Sequence, residues 1–343
     1  MKTPKLNYAF VALCLILVAI PNLKPVKANQ TTLLQLTPEE KYVTQAENFT
    51  LTVYVSNVTN LNKWQITVKF DPSVLKCINV TIPQDNIFAG YQIINPPPKI
   101  DNENGSIVKF TALDGVQGIN GSGKLAEIEF SPLSFSCLTY VEFTGINQIN
   151  PVNGTYMQDP QDQPIDFQPS NSQIHLLPTP HVFNVSKNNE TYKVTIFTNS
   201  TSINAFNYNE TGNILTFNLT GPQNSLSFTC TQTPKALFNS SYYVVKADSA
   251  ILPTTIIQNS THALICFKYN HTPYETKIII IPTGPGDLNG DRKVNIKDVV
   301  IPASAFGSYI GHVRWNPIAD INQDGKVDIR DVSFIAYHFG SLY

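Results

Sequence analysis

Asp287-Leu288-Asn289-Gly290-Asp291-Arg292-Lys293-Val294-Asn295-Ile296-Lys297-Asp298 is matched, 33 residues on, by Asp320-Ile321-Asn322-Gln323-Asp324-Gly325-Lys326-Val327-Asp328-Ile329-Arg330-Asp331. The match continues past each stretch: Ala303-Ser304-Ala305-Phe306-Gly307-Ser308 parallels Ala336-Tyr337-His338-Phe339-Gly340-Ser341. Positions 1, 3, 5, 9 and 12 carry oxygen side chains, namely Asp287, Asn289, Asp291, Asn295 and Asp298, then Asp320, Asn322, Asp324, Asp328 and Asp331. Ca²⁺ is a hard cation that takes roughly 6–8 oxygen ligands, with position 7 of such a loop giving its carbonyl. Lys293 and Lys326 therefore complete the two expected ligand sets, for two Ca²⁺ ions. Val294 and Val327 at position 8 would anchor the loops to a core. One polar loop rich in Asp and Asn means little. Two in register, each followed by the same apolar helix pattern, argue for a metal site.

Position 12 and the flanks narrow the class. An EF-hand uses a bidentate Glu at position 12, where this chain has Asp298 and Asp331. Pro282-Thr283-Gly284-Pro285-Gly286 and Trp315-Asn316-Pro317 precede the loops, and such text makes no entering helix. A duplicated, EF-hand-like loop–helix pair with Asp at position 12 resembles a dockerin domain. That resemblance implies a small α-helical unit that binds cohesin domains and joins proteins outside the cell. It also implies that positions 10 and 11 (Ile296 and Lys297, Ile329 and Arg330) read the partner. Near-identity of the two pairs would permit two binding orientations; the alternative is that both isoleucines pack inward. Three departures stand out. Arg292 occupies position 6, which needs a left-handed backbone that suits Gly. Pro302 stands in the first helix where the second has Ile335, and should kink it. The first loop has three carboxylates and the second four, so the second should bind the tighter.

The other end of the chain begins with Lys2 and Lys5, an apolar run over 8–20, then Val26-Lys27-Ala28. This is the layout of a secretory signal peptide over 1–28, and the run is short for a membrane span. Cleavage there removes four lysines and no acid, moving the formal charge from −2 to −6. Charged residues are only 14% of the chain, and no basic patch points to nucleic acid. Asn-X-Ser/Thr sequons recur from Asn29, Asn48, Asn57 and Asn79 through Asn184, Asn199 and Asn218 to Asn259 and Asn270. Their density suits an extracellular or cell-surface glycoprotein.

Between these ends the chain reads as mainly β, in two sandwich domains. Phe49, Leu51, Val53 and Val55 alternate with polar neighbours, as do Trp64, Ile66, Val68 and Phe70; period two marks half-buried strands. Phe70-Asp71-Pro72-Ser73-Val74-Leu75 and Gly121-Ser122-Gly123-Lys124-Leu125-Ala126-Glu127-Ile128-Glu129-Phe130 resemble segments of cohesin domains. The resemblance implies a jelly-roll over 29–177, a fold shared with carbohydrate-binding modules. A polysaccharide platform needs exposed aromatic rings, and the alternation places Trp64 on the core face instead. Residues 178–283 form a second sandwich: Leu215, Phe217 and Leu219 alternate, as do Leu226, Phe228 and Cys230. Thr198-Asn199-Ser200-Thr201-Ser202-Ile203 and the strand into Thr233-Pro234-Lys235-Ala236-Leu237 loosely resemble a β-sandwich repeated in archaeal surface proteins, and the domain reads as a spacer. Residues 284–343 hold the two loops.

No His-rich metal spacing, Gly-X-Ser-X-Gly or Cys-X-X-Cys occurs, so no enzyme is expected. The sequence thus describes a secreted, non-catalytic modular protein for calcium-dependent cohesin–dockerin assembly at the cell surface. Its expected partner is a cohesin domain of another protein or of another copy of this chain. The alternative is a carbohydrate-binding surface protein, an accessory to glycoside hydrolases in polysaccharide breakdown. Four cysteines remain after cleavage, two in each β domain. Pairing within domains predicts Cys77–Cys137 and Cys230–Cys266.

Overall fold

The computed structural model describes residues 31–44, 47–147 and 154–343; the expected signal peptide over 1–28 and the Asn29 sequon lie outside them. Among the described residues strands make up 54% and helices 8%, so the fold is mainly β. Four sheets form two sandwiches, and the helices come last.

The first sandwich pairs a five-stranded sheet with an eight-stranded one. In the former, Phe49–Leu61 lies between Leu33–Thr37 and Ile119–Pro132, and Leu75–Thr81 forms an edge. In the latter, Lys63–Phe70 lies between Ser136–Phe143 and Ser106–Leu113. Phe49, Leu51, Val53, Val55, Trp64, Ile66, Val68 and Phe70 all enter one core, as period-two alternation requires. Gln65 and Thr67, which the alternation puts on the outer face, are buried as well. The segment through Gly154 and Thr155 covers them. Gln65 Nε2 and Thr67 Oγ1 donate to the Gly154 carbonyl at 2.9 and 3.2 Å. Gly123 lies where a Cβ would stand 3.0 Å from that of Ile87. Its bare backbone lets the 86–91 loop close and insert Phe88 into the core.

The second sandwich stacks a sheet centred on Leu226–Pro234 against one centred on Thr276–Thr283. Val194, Ile196, Leu215, Phe217, Leu219, Ile278 and Ile280 fill its core. Leu226 is exposed, and Phe228 and Cys230 face outward. With Phe197, Leu264 and Cys266 they meet Cys137 and Leu177 of the first sandwich in a small apolar interface. Burying a Phe of this kind is worth about 1.5–3 kcal/mol. The expected strand through Thr233 ends at Pro234, and Lys235–Phe238 is a short helix, α1.

Two ten-residue helices follow, α2 (Ile296–Ala305) and α3 (Ile329–His338). Pro302 is buried within α2, which runs past it to Ala305 and is as long as α3. Ala305, Ala319 and Val327, with Ile301 and Trp315, form the small core beneath them. The 33-residue repeat is reciprocal in space. Val294 of the first stretch exchanges backbone hydrogen bonds with Gly340 and Ser341, beyond α3. Val327 of the second does the same with Gly307 and Ser308, beyond α2. Tyr343 N–H donates to Arg292, and Ile310 N–H to Gly325, extending the symmetry.

Candidate metal centre

The position-1 and position-12 carboxylates are turned into their loops. Asp287 accepts from the Gly290 and Arg292 amides, both at 2.8 Å, and from the Thr283 hydroxyl. Asp298 accepts from the Leu288, Asn289 and Asn295 amides at 2.9, 3.2 and 2.9 Å, and from Asn289 Nδ2 at 2.9 Å. In the second loop Asp320 accepts from Asp324 and Gly325, and Asp331 from Ile321, Asn322 and Asp328. Asp287, Asp298, Asp320 and Asp331 are all buried. Isolated buried carboxylates are costly; these are held by backbone dipoles, and each retains lone pairs able to face a cation.

Positions 9 and 12 also cap the helices. Asn295 accepts from Lys297 N–H at 2.9 Å and Asp328 from Arg330 N–H at 2.8 Å. Asp298 and Asp331 reach back to the cap amides, completing two capping boxes. Such boxes satisfy amides that a helix start leaves unpaired. The residue types that suit a cation thus have a second, structural job.

The two loops differ in how the remaining acids lie. Asp287, Asp291 and Asp298 offer oxygens all within 4.8 Å of one another, a donor set suited to a hard divalent cation. In the second loop Arg330 intervenes, binding Asp324 at 2.5 Å and Asp328 at 2.7 Å. Its side-chain bond holds the Asp328 carboxyl below the usual carboxylate range. Lys297, the matching cation of the first loop, stands 3.7 Å from Asp291. Asn289 and Asn322 turn their side-chain oxygens to the position-5 amides, at 2.9 and 3.0 Å. The Lys293 and Lys326 amides are bonded to Asp291 and Asp324, both at 3.1 Å.

Arg292 does adopt the left-handed backbone, with φ +64°, where Gly325 has +82°. An Arg there costs about 1–2 kcal/mol. Its guanidinium donates to the carbonyls of Gly212 and Asn213 in the second sandwich, a contact that sequence reasoning missed. Gly290 lies against Val244 and Ile281 of the same sandwich. Positions 10 and 11 face solvent: Ile296 is 64% exposed and Ile329 63%. Val300, Tyr337 and Phe339 are exposed on the same unit.

Cys230 and Cys266, directly opposed on neighbouring strands, form a disulfide. Cys77 and Cys137 are both free, which corrects the expected Cys77–Cys137 bridge. Cys77 points into the core of the first sandwich, whereas Cys137 points out of it into the interface with the second. A disulfide needs Cβ atoms about 3.5–4.5 Å apart, and side chains on different faces of different sheets do not meet that way. Burial pushes both thiols up to about 12. Trp64 is 1% exposed and Trp315 is partly buried against the helices, so neither ring forms an open platform for a polysaccharide. Among the described residues no helix is long and apolar enough to cross a membrane.

A family model described as Cohesin domain matches residues 35–148. A search of curated proteins found no match. Among solved structures, a type II cohesin domain from the cellulosome of Acetivibrio cellulolyticus is similar, with 18% identity and a TM-score of 0.36, covering 42% of this chain and 95% of that one. A non-cellulosomal cohesin from the archaeon Archaeoglobus fulgidus is 12% identical with a TM-score of 0.33, covering 43% and 91%. An Acetivibrio cellulolyticus cohesin solved in complex with a dockerin is 13% identical with a TM-score of 0.34, covering 42% and 98%. The family match identifies residues 35–148 as a cohesin domain.

Proposed function

We propose that this chain is a non-catalytic attachment protein whose cohesin domain receives a dockerin. The observation that carries this reading is the family match over residues 35–148. It reverses the partner expected from the loops alone: the better-supported partner is a dockerin, bound by the first sandwich, and not a cohesin. Residues 178–283 then act as a spacer, and residues 284–343 as a dockerin-like module. In that module Asp287, Asp291 and Asp298, with Asp320, Asp324, Asp328 and Asp331, would hold two Ca²⁺ ions. Supporting this are the reciprocal pairing of the two repeats and the three converging carboxylates of the first loop. Bound Ca²⁺ would neutralise acids that otherwise repel one another, and so order a unit with a very small apolar core. One dockerin available to the cohesin domain is the module of another copy. A heterologous, head-to-tail contact of that kind makes rings or open filaments. The signal peptide and sequons fit secretion to the cell surface.

Light scattering of the purified mature chain tests this. Growth in mass with Ca²⁺, and return to monomer with chelator, supports assembly between copies. A monomer in Ca²⁺ that still captures a purified dockerin keeps the cohesin reading and removes self-assembly. A chain that captures no member of a dockerin panel overturns the reading.

A further inference from the structure

Cys137 lies next to a bond it does not share. Its strand, Ser136–Phe143, belongs to the first sandwich, while Cys230 and Cys266 sit on the outer face of the second. The three sulfurs all lie within 4.8 Å of one another. Cys137 and Cys266 also line a cleft of about 510 Å³, together with Phe228, Lys268 and Asp320. Both are buried in the wall of that cleft, Cys137 at 8% and Cys266 at 3% exposed. Phe135 and Phe228 stack across the same interface, ring centroids 6.0 Å apart. A disulfide needs its sulfurs about 2 Å apart. Closing Cys137 onto Cys266 thus asks for a shift of no more than about 3 Å, the scale of a rotamer change with slight adjustment of the strands.

We propose that Cys137 is the exchange partner of the Cys230–Cys266 disulfide, and that the chain can convert to a second isomer bridged Cys137–Cys266. The Cys137 thiol first gives its proton to solvent. Its thiolate attacks Cys266 Sγ; the Cys137–Cys266 bond forms and the Cys230–Cys266 bond breaks. Cys230 leaves as a thiolate and takes up a proton. Nothing is oxidised or reduced overall. The first isomer staples two neighbouring strands of one sheet. The second is a covalent crosslink between the sandwiches, fixing the cohesin domain relative to everything that follows Leu177. Exchange requires the thiolate. Because burial pushes the Cys137 thiol up to about 12, the closed interface converts slowly at neutral pH. The rate should rise about tenfold per pH unit.

The full chain, held folded at mildly alkaline pH with a trace of reduced glutathione, is alkylated at intervals and digested without reduction for mass spectrometry. The expected result is a growing fraction of Cys137–Cys266 peptides with Cys230 alkylated, faster at higher pH. Cys77, buried in the other core and free, is the internal control and should join no bridge. A C230S chain treated with oxidised glutathione supplies the second arm: it should form Cys137–Cys266 in high yield. Recovery of Cys230–Cys266 alone, with Cys137 always alkylated and C230S remaining reduced, overturns the proposal. So do bridges that include Cys77 as often as Cys137, since they report scrambling through unfolding.

Discussion

The loop over residues 287–298 and the loop over 320–331 share most of their closing backbone hydrogen bonds, but different neighbours hold them. The first leans on the second sandwich. Arg292 donates to the Gly212 and Asn213 carbonyls, Thr283 donates to Asp287, and Gly290 rests on Val244 and Ile281. The second makes its corresponding contacts within the helical unit, with Gly325 against Ile310 and Arg330 clamped on Asp324 and Asp328. A residue poorly suited to its own backbone thus stands where an outside contact can offset the strain. The well-suited glycine stands where the loop is supported from within. Neither loop is simply the better copy. The first has its carboxylates gathered; the second has more of them, two held by an arginine.

The largest expected effect separates the position-12 aspartates. Asp331→Ala leaves the Ile321, Asn322 and Asp328 amides without their acceptor, at a cost of about 3 kcal/mol or more. Asp298→Ala removes the three matching amide bonds and one more from Asn289 Nδ2, but the sandwich still grips its loop. Thermal melting followed by helical circular dichroism should therefore show the greater loss for Asp331→Ala. The reverse ranking would mean that the sandwich contacts do not stabilise the first loop.

A smaller effect is expected at position 6. Gly325→Ala puts a side chain at φ +82° and should lower the melting stability of the unit by about 1–2 kcal/mol. Arg292→Ala keeps the strained backbone and loses the guanidinium contacts. It should loosen the helices from the sandwich, seen as faster proteolysis between 282 and 290, while the sandwiches melt unchanged. Equal insensitivity at both positions would remove the contrast.

The smallest effect concerns Arg330. Exposed ion pairs contribute little, because water screens them. If the second loop holds Ca²⁺ as proposed, Arg330→Gln should raise its affinity by no more than about fivefold in calorimetry. Weaker binding in that variant would show that Arg330 orders the acids instead of competing for them. The same arginine gives the loop a pH signature. Asp328 is held below its ordinary value, so its contribution is present above about pH 4 and lost as pH falls below that. Arg330→Gln should flatten that acid limb.

Much of this was legible in the chain. Alternation over Phe49, Leu51, Val53 and Val55 marks a face because a strand repeats every two residues, and the 33-residue spacing marks the paired loops. Contacts between distant segments were not legible. Gln65 and Thr67 read as solvent-facing because nothing local announces that Gly154 and Thr155 will cover them. Phe228 and Cys230 alternate as a core face should, but their core is the interface and not their own sandwich. The Cys77–Cys137 pairing failed for the same reason. Counting cysteines per domain says nothing about which way a strand turns each one. Arg292 read as a defect because its partner, the 212–213 turn, lies some eighty residues away.

The crossed pairing of Val294 with Gly340 and Ser341, and of Val327 with Gly307 and Ser308, carries a consequence for folding. Each repeat is finished by the other, so neither is a unit of cooperativity. A chain stopped just after α2 would have made one loop and one helix, but not the short bridge that closes that loop. The bridge arrives only with the final residues of the second repeat, more than forty positions later. Ordering is therefore all-or-none, and removal of Gly340 and Ser341 would disarm the loop farther away in sequence while leaving every residue of that loop in place.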